Sequence, residues 1–197
     1  MYEILMRVLN QEEQTGEIKV LIETLDDLWH LYNIINPGDI VIAVTFRRDE
    51  VKADKIRAER AEKKRMVLGI RVEKIEFHDS ESRLRILGVI EEGPQDIGAH
   101  HTLILSEGEN LTIRKEEWSK VALERIARAV DDSKKPKILF IAIETDEAYL
   151  AASRQFGIQE IATINASSSG KMYDQKESGD FYGEVLEKIK MSYEPGT

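Results

Sequence analysis

The sequence contains no cysteine and no long hydrophobic run. With no Cys among 197 residues, disulfide bonds and thiolate zinc sites are excluded, and the composition suits a reducing compartment. The first residues, MYEILMRVLNQEEQ, lack the apolar core of a signal peptide. No stretch approaches the roughly 18 apolar residues of a membrane-spanning helix. We therefore expect a cytoplasmic protein that does not contact membranes.

Motifs for nucleotide binding and hydrolysis are also missing. The chain has no Walker A, GxGxxG, GxSxG or HExxH pattern and no Gly-Gly-Gln tripeptide. The run SSSGK at 167–171 lacks the partner glycine of a phosphate loop. His100 and His101 are adjacent, so a strand would point them to opposite faces, and we expect structural roles for both. His30 is expected on or beside the polar face of a helix.

Charge is distributed unevenly along the chain. The 28 basic and 37 acidic residues give a net charge of −9, which argues against indiscriminate binding to nucleic acids. Residues 47–74, here called the basic segment, hold eleven basic and six acidic residues, so this segment carries +5 and the remainder −14. The sequence thus predicts an acidic body with one basic segment.

Residues 23–48 form the clearest structural signal. Apolar side chains recur three and four residues apart from Leu25 to Ile35, as on one face of a helix. Thr24 is a suitable N-cap, and Pro37 and Gly38 end the helix. A β-rich run from Ile40 then leads to two arginines at its far end. We predict a helix, a turn and a strand.

Further short β-rich runs accompany this stretch. Strands are predicted at 2–9, 17–23, 66–77, 83–90, 102–105 and 111–114. Residues 49–64 show no apolar periodicity and are expected to form a long loop or a transient helix. A helix is predicted over 115–130, with a buried stripe of Trp118, Val121, Ala122, Ile126, Ala129 and Val130. Five to seven strands with one capping helix predict a mainly β domain over residues 1–130, a small twisted barrel.

The pattern changes after the polar linker DDSKKP. Residues 131–197 are predicted to contain a strand at 138–143, a helix at 147–156, a strand at 158–164 and a helix at 181–191. Such alternation predicts a partial α/β domain with a parallel sheet. Two apolar strands are too few for this sheet. We therefore expect either a fragment of a longer protein or a natural short form that borrows strands.

Several stretches resemble the archaeal Pelota family. The matching segments are LDDLWHLYNII, PGD, TFRR, GIRVEKIEFH, LRILG, IGAHHTL and LTIRKEEW, which follow the family's order over the first two-thirds of the chain. This resemblance implies an Sm-like barrel for the first domain. For residues 131–197 it implies an incomplete central domain, similar to that of release factors but without Gly-Gly-Gln.

The same resemblance implies a function for the basic segment. In this family the loop between the two barrel strands enters the decoding site and the mRNA channel of the ribosome. The implied RNA-binding and ribosome-binding positions are Arg47, Arg48, Lys52, Lys55, Arg57, Arg60, Lys63, Lys64 and Arg65. Phosphate neutralisation there would add affinity that does not depend on sequence. Without the resemblance, a solvated run of charges is the simpler interpretation, since only Phe46 is an aromatic suited to stacking on bases.

Three acidic residues at the start of the helix are the only catalytic candidates. Glu23, Asp26 and Asp27 match acidic positions for which the family has been credited with a metal-dependent endoribonuclease. Asp26 and Asp27 would be the metal ligands, with Mg²⁺ or Mn²⁺ as the cation. The competing interpretation is that Asp26 and Asp27 stabilise the helix dipole and bind nothing.

Two functions from different classes follow from these observations. The favoured one is a factor of mRNA surveillance and ribosome rescue (no-go decay). The resemblance implies that it binds rRNA and mRNA in the empty A site of stalled ribosomes, as a monomer. It would act with an elongation-factor-like GTPase and a recycling ATPase, and it would break no bond itself. The alternative is an endonuclease that cuts the stalled message with Glu23, Asp26 and Asp27.

Overall fold

The computed structural model describes residues 6–48, 63–132, 138–166 and 180–192, except for the side chains of Arg48 and Lys63. The chain divides into two compact units, Met1–Ser133 and Lys134–Thr197. The sequence placed this boundary after residue 130. No helix in the described part of the chain has the length and apolar character needed to cross a bilayer.

The first unit is built on one antiparallel sheet. Its strands are β1 (Arg7–Glu12), β2 (Glu17–Leu21), β3 (Ile40–Arg48), β4 (Lys63–His78), β5 (Arg83–Glu92), β6 (His100–Leu105) and β7 (Asn110–Arg114). They are ordered β1-β2-β7-β3-β4-β5-β6, and every neighbouring pair is antiparallel. The prediction of a mainly β first domain is thereby confirmed.

The long strand β4 bends where it crosses β5. The register between the two strands shifts twice, once between Val72 and Lys74, as expected of bulges that increase twist. At this bend Gly88 approaches the neighbouring backbone closely, because a Cβ there would lie 2.1 Å from the carbonyl oxygen of Arg71. Any larger residue would clash with this backbone and force the two strands to shift.

Helix α1 (Leu25–Ile34) covers the buried face of the sheet and packs on β4 and β5. It begins at the N-cap Thr24, whose side chain accepts a hydrogen bond from the Asp27 amide. Its buried apolar stripe consists of Leu25, Leu28, Leu31 and Ile34. The sheet contributes the fully buried residues Leu68, Ile70, Leu84, Ile86, Ile90 and Leu103 to the core. The amphipathic spacing in the sequence is therefore the cause of the helix's position.

Helix α2 (Lys120–Asp132) begins later than predicted. Residues 115–118 are held against the β1–β2 turn instead, because the Trp118 indole donates to the carbonyl oxygen of Gly16 at 2.7 Å. Ser119 then caps the helix, since its hydroxyl oxygen accepts from the Ala122 amide at 3.2 Å. The predicted buried stripe is also wrong at Val121, which is 70% exposed, whereas Ile126 and Ala129 are buried.

The second unit differs from its prediction. Its strands β8 (Leu139–Ile143), β9 (Glu147–Arg154) and β10 (Gly157–Asn165) form an antiparallel sheet in the order β10-β9-β8. The predicted helix at 147–156 is therefore a strand, and the predicted parallel sheet is wrong. Both errors have one cause: β9 and β10 are joined by a tight turn, which only antiparallel strands permit. Helix α3 (Phe181–Ser192) packs on this sheet through Phe181 and Val185, which contact Ala148, Leu150 and Ile164.

Candidate nucleic-acid interface and acidic cluster

The basic residues at the ends of β3 and β4 lie side by side. Arg47 pairs with Lys64 and Arg48 with Lys63 across the two strands. Like charges directly opposite one another are destabilising, so this end of the sheet favours a neighbouring anion. The predicted positions Lys52, Lys55, Arg57 and Arg60 lie outside the described residues.

Arg47 is held against the sheet. Its Nε donates to Asp96 Oδ2 at 2.6 Å, and its side chain is only 18% exposed. Its Nη1 also lies 3.4 Å from Nδ1 of His101, whose Nε2 is 3.0 Å from the Thr45 hydroxyl. Burial, and then the charge of Arg47, lower the pKa of His101 and so favour the neutral form of its imidazole. One predicted RNA contact is thus already engaged by an internal carboxylate.

Asp96 is a partner that sequence reasoning missed. It lies between β5 and β6, in a segment for which no strand or helix was predicted, and has a positive φ of 57°. A non-glycine residue in this left-handed conformation is uncommon, and Asp and Asn tolerate it best. The sequence does not reveal this backbone conformation, so it could not have identified Asp96 as a partner of Arg47. Its effect is to place a carboxylate beside the first arginine of the basic segment.

Asp27 closes the start of α1. It is 1% exposed, and its Oδ2 accepts hydrogen bonds from the Glu23 amide at 2.8 Å and the Thr24 amide at 2.9 Å. Burial raises the pKa of Asp27 to about 6, although the two backbone N–H groups act in the opposite direction. These contacts form a capping box. Asp27, one of the three catalytic candidates, therefore serves to cap the start of α1.

The three acidic candidates do not converge on a common point for a cation. Glu23 Oε1 accepts from Arg7 Nη2 at 2.6 Å and from Arg7 Nε at 3.1 Å. Asp26 lies in the first turn of α1, half-buried. Across the described ranges, no group of three or more His, Asp or Glu side chains is arranged to hold a metal ion. A divalent cation takes about six or more oxygen ligands, and these three carboxylates are not gathered around one point, so they do not fit such a site.

The histidines have separate environments. His100 lies 3.2 Å from Glu73 on one side of β6, while His101 faces Arg47 on the other. His30 was predicted on or beside the polar face of a helix. It is instead buried, with 3% of its surface exposed. Its ring contacts the end of α2, with Nε2 3.8 Å from Asp132, and burial lowers its pKa. The polar side of α1 is covered by α2, which explains the error.

A second group of cations lines a cavity of about 310 Å³ near the β1–β2 turn. Each of its three cations has a carboxylate partner. Arg71 donates to Glu91 at 2.9 Å, Arg114 pairs with Glu17 and Glu92, and Lys115 pairs with Asp39. This network joins the strands, and its charges are internally compensated.

Comparison with known proteins gives consistent results. A family model described as the Pelota N-terminal domain matches residues 5–130. The pelota homolog of Methanosarcina barkeri is 44% identical over 190 residues, which cover 94% of this chain and 53% of that protein. The crystal structure of Thermoplasma acidophilum Pelota covers 96% of this chain and 52% of its own, at 27% identity and a TM-score of 0.64.

A further similar structure is a model of ribosome-bound archaeal Pelota and ABCE1. It is 36% identical, with a TM-score of 0.57, and the match covers 95% of this chain and 54% of that one. The chain thus spans about half the length of the relatives that it matches.

Proposed function

This chain belongs to the Pelota family, as the family model over residues 5–130 shows, and from this premise we propose that it is a ribosome-rescue factor of mRNA surveillance. It recognises stalled ribosomes through the vacant A site and promotes their dissociation. The observation that carries the proposal is the set of basic residues brought together where β3 ends and β4 begins. A similar protein has been described bound to the ribosome together with ABCE1.

The proposed mechanism is recognition. Ribosomal RNA and mRNA present dense phosphate charge, and each phosphate neutralised by Lys or Arg releases counterions. The acidic remainder of the chain limits binding elsewhere, so the basic segment alone directs the chain to RNA. Arg47 contributes by fixing the end of β3 through Asp96. Contacts with RNA then come from the other basic residues of the segment.

Several narrower features belong to the same proposal. The seven-stranded sheet is an Sm-like barrel, and the chain acts as a monomer in the cytoplasm. An elongation-factor-like GTPase delivers it to the ribosome, and a recycling ATPase completes the dissociation. The relative described with ABCE1 on the ribosome supports a second factor in the complex.

Charge reversal tests the proposal. Arg48, Lys52, Lys55 and Arg65 are changed together to Glu, while Arg47 is kept because Asp96 already engages its guanidinium. Ribosome pelleting over a range of salt concentrations should show weaker binding and a flatter salt dependence. The melting temperature should change little, because residues 49–64 show no apolar periodicity in the sequence that would place them in a core.

The matched control reverses four exposed lysines elsewhere, Lys19, Lys120, Lys188 and Lys190. This control keeps the same change in net charge but should bind ribosomes better than the first variant. Equal binding by the two variants would refute a specific role for the basic segment.

The endonuclease alternative remains a prediction that the side-chain contacts disfavour. Asp27 caps a helix and Glu23 is paired with Arg7, so neither is arranged as a ligand. Labelled RNA incubated with the chain and Mg²⁺ or Mn²⁺ should stay intact. Cleavage that disappears in both Asp26→Asn and Asp27→Asn, with the fold preserved, would establish the enzyme instead.

A further inference from the structure

An aromatic ring lies exposed where β3 ends and β4 begins. Phe46 is 60% exposed, and the neighbouring Val67 is 54% exposed. Phe46 pairs across the strands with Arg65, and Val44 pairs with Val67. Side chains of cross-strand partners lie on the same face of a sheet. These four side chains therefore form one small outward surface with an aromatic ring, two aliphatic groups and a guanidinium.

This surface forms one wall of a cavity. The cavity has a volume of about 280 Å³ and is lined by Val44, Phe46 and Arg65 from the strands, and by Gly108, Glu109 and Asn110 from the β6–β7 turn. That volume lies just below the range typical of small-molecule sites, which suits one planar ring system. The Glu109 carboxylate accepts from the Ser106 amide at 2.8 Å, so its position in the turn is fixed.

The two arginines nearest this cavity differ in their partners. Arg47 is paired with Asp96 on the opposite side of β3. Arg65 is exposed and, among the residues that the structure describes, has no carboxylate within ion-pair distance. An exposed guanidinium beside an aromatic ring attracts a ligand that combines negative charge with a flat π-system.

We propose that Phe46 and Arg65 bind one unstacked nucleotide of single-stranded RNA. The base stacks on the Phe46 ring, and the Arg65 guanidinium contacts the adjoining phosphate. Asn110 and Glu109 line the same cavity and would hydrogen-bond the edge of the base, the carboxylate as an acceptor for an amino group. This inference rests on the proposed function, because the stalled ribosome is the source of the unpaired strand.

Single-stranded RNA suits this surface better than a protein partner for two reasons. Stacking needs one exposed aromatic face and tolerates any base, and an arginine for the phosphate commonly accompanies it. The surface also carries the exposed Arg65 directly opposite Phe46, so a phosphate beside the stacked base would meet positive charge. A protein hot spot more often has a broader apolar area around its aromatic anchor.

The test uses the whole chain with a fluorescent RNA strand of about ten nucleotides, within the usual site size of single-strand binders. A matched strand carries the same sugar and phosphate groups but no bases. The wild-type chain should bind the base-bearing strand about fivefold or more tightly than the abasic strand, as expected for one stacked base. Phe46→Ala should remove this preference and keep the salt dependence.

Arg65→Gln should have the complementary effect. It should reduce the slope of log affinity against log salt by about 0.7, the value for one phosphate contact on a single strand, and retain a preference for bases. Matched controls are Tyr182→Ala, an aromatic that is 64% exposed in the second unit, and Arg83→Gln, which is paired with Glu81 at the start of β5. Neither control should change the preference or the slope.

Phe46→Leu guards against a folding artefact, because it keeps the apolar volume and loses the aromatic face. If the alanine variant unfolds, the leucine variant decides the result. Equal binding of both strands by the wild type, or a base preference that survives both Phe46 variants, would overturn the proposal. So would a Phe46 variant that loses ribosome binding but keeps its base preference, since the ring would then contact a ribosomal protein.

The two proposals fail separately. A chain that shows the base preference yet does not pellet with ribosomes would keep the nucleotide site and remove the rescue function. A chain that pellets with ribosomes through its basic segment but shows no base preference would keep the rescue function and remove the nucleotide site.

Discussion

At the scale of single residues, Asp27 combines burial with a charge. Its carboxylate accepts two backbone N–H groups that would otherwise remain unpaired at the start of α1. Burial nevertheless favours the neutral form and raises the pKa to about 6. The residue thus stabilises the helix start and also makes the stability of the first unit depend on pH.

The pH dependence has a definite sign. Because the folded chain holds the Asp27 proton more tightly than the unfolded chain does, this carboxyl stabilises the fold at low pH. The contribution is lost as the pH rises from the ordinary value of 3.8 to about 6, and amounts to about 3 kcal/mol at most. Asp27→Asn should remove it, so the difference in unfolding free energy between wild type and variant should shrink over this window.

Urea unfolding at a series of pH values measures this difference. Asp26→Asn is the matched control, since Asp26 is the neighbouring residue in the same helical turn and only a minor cause of the raised pKa. The Asp26→Asn variant should keep most of the pH dependence of the unfolding free energy. Wild-type and Asp27→Asn curves that run parallel between these pH values would show that Asp27 titrates normally.

A second prediction at this scale concerns Asp96. Asp96→Asn removes the carboxylate that pairs with Arg47 but suits the positive φ of 57° at this position. The guanidinium of Arg47 then becomes available to phosphate. We expect ribosome affinity at low salt to rise a few-fold and its salt dependence to steepen by the equivalent of one contact.

The control for this variant is Asp79→Asn, an acidic residue in the β4–β5 turn. It changes the net charge equally and should leave binding almost unchanged. An Asp96→Asn variant that binds ribosomes more weakly than wild type would mean that the pair with Asp96 presents Arg47 to the ribosome in the bound orientation.

At the scale of elements, the turn between β9 and β10 decides the fold of the second unit. Arg154 pairs with Gly157, so only Gln155 and Phe156 separate the strands. Gly157 has a φ of +136°, a conformation that only glycine adopts without strain. A residue with a side chain at this position would oppose the turn.

Gly157→Ala should therefore loosen this hairpin. We expect a cost of about 1 kcal/mol or more, which makes amide exchange in β9 and β10 roughly fivefold faster. Hydrogen exchange read by mass spectrometry measures it, and β3 to β5 should stay unchanged. Ile158→Ala, which truncates a 70% exposed side chain one residue away, should have little effect. Unchanged exchange in Gly157→Ala would refute the strain.

These elements also show how far sequence patterns reach. The α1 helix and β3 were predictable because spacing, cap and turn residues agree locally. The β9 strand was not, since its alanines, Leu150 and Glu147 are good helix formers, and the short hairpin overrides that propensity. Isolated patterns of eight residues leave this choice to tertiary context.

The candidate site was predictable in part for a similar reason. A run of like charges is visible in the sequence, and so is an acidic first turn with a helix-stabilising role. The pairing of Arg47 with Asp96 depends on the path of a distant loop. The orientation of His30 depends on α2 covering a side of α1 that its own sequence leaves polar. Both features depend on contacts between segments distant in the sequence, so local sequence patterns cannot predict them.

At the scale of the whole molecule, net charge limits the partners. The chain carries −9 overall, so an extended polyanion meets repulsion from most of its surface. We predict that long duplex DNA and duplex RNA bind far more weakly than ribosomes at physiological salt, because residues 47–74 carry +5 and the rest of the sequence −14. Competition of each duplex against ribosome pelleting measures this, with polyphosphate as the control polyanion. Displacement by duplex at equal phosphate concentration would contradict it.

The pairing of β2 with β7 has a consequence for how the chain is made. Glu17 and Arg114, 97 residues apart in sequence, lie side by side in this pair. During synthesis β2 can pair with β1 early, but it can pair with β7 only after Arg114 has emerged from the exit tunnel. Sheets with such distant partners acquire their structure late and slowly. A protein proposed to rescue arrested translation thus depends, for its own maturation, on a long stretch of uninterrupted elongation.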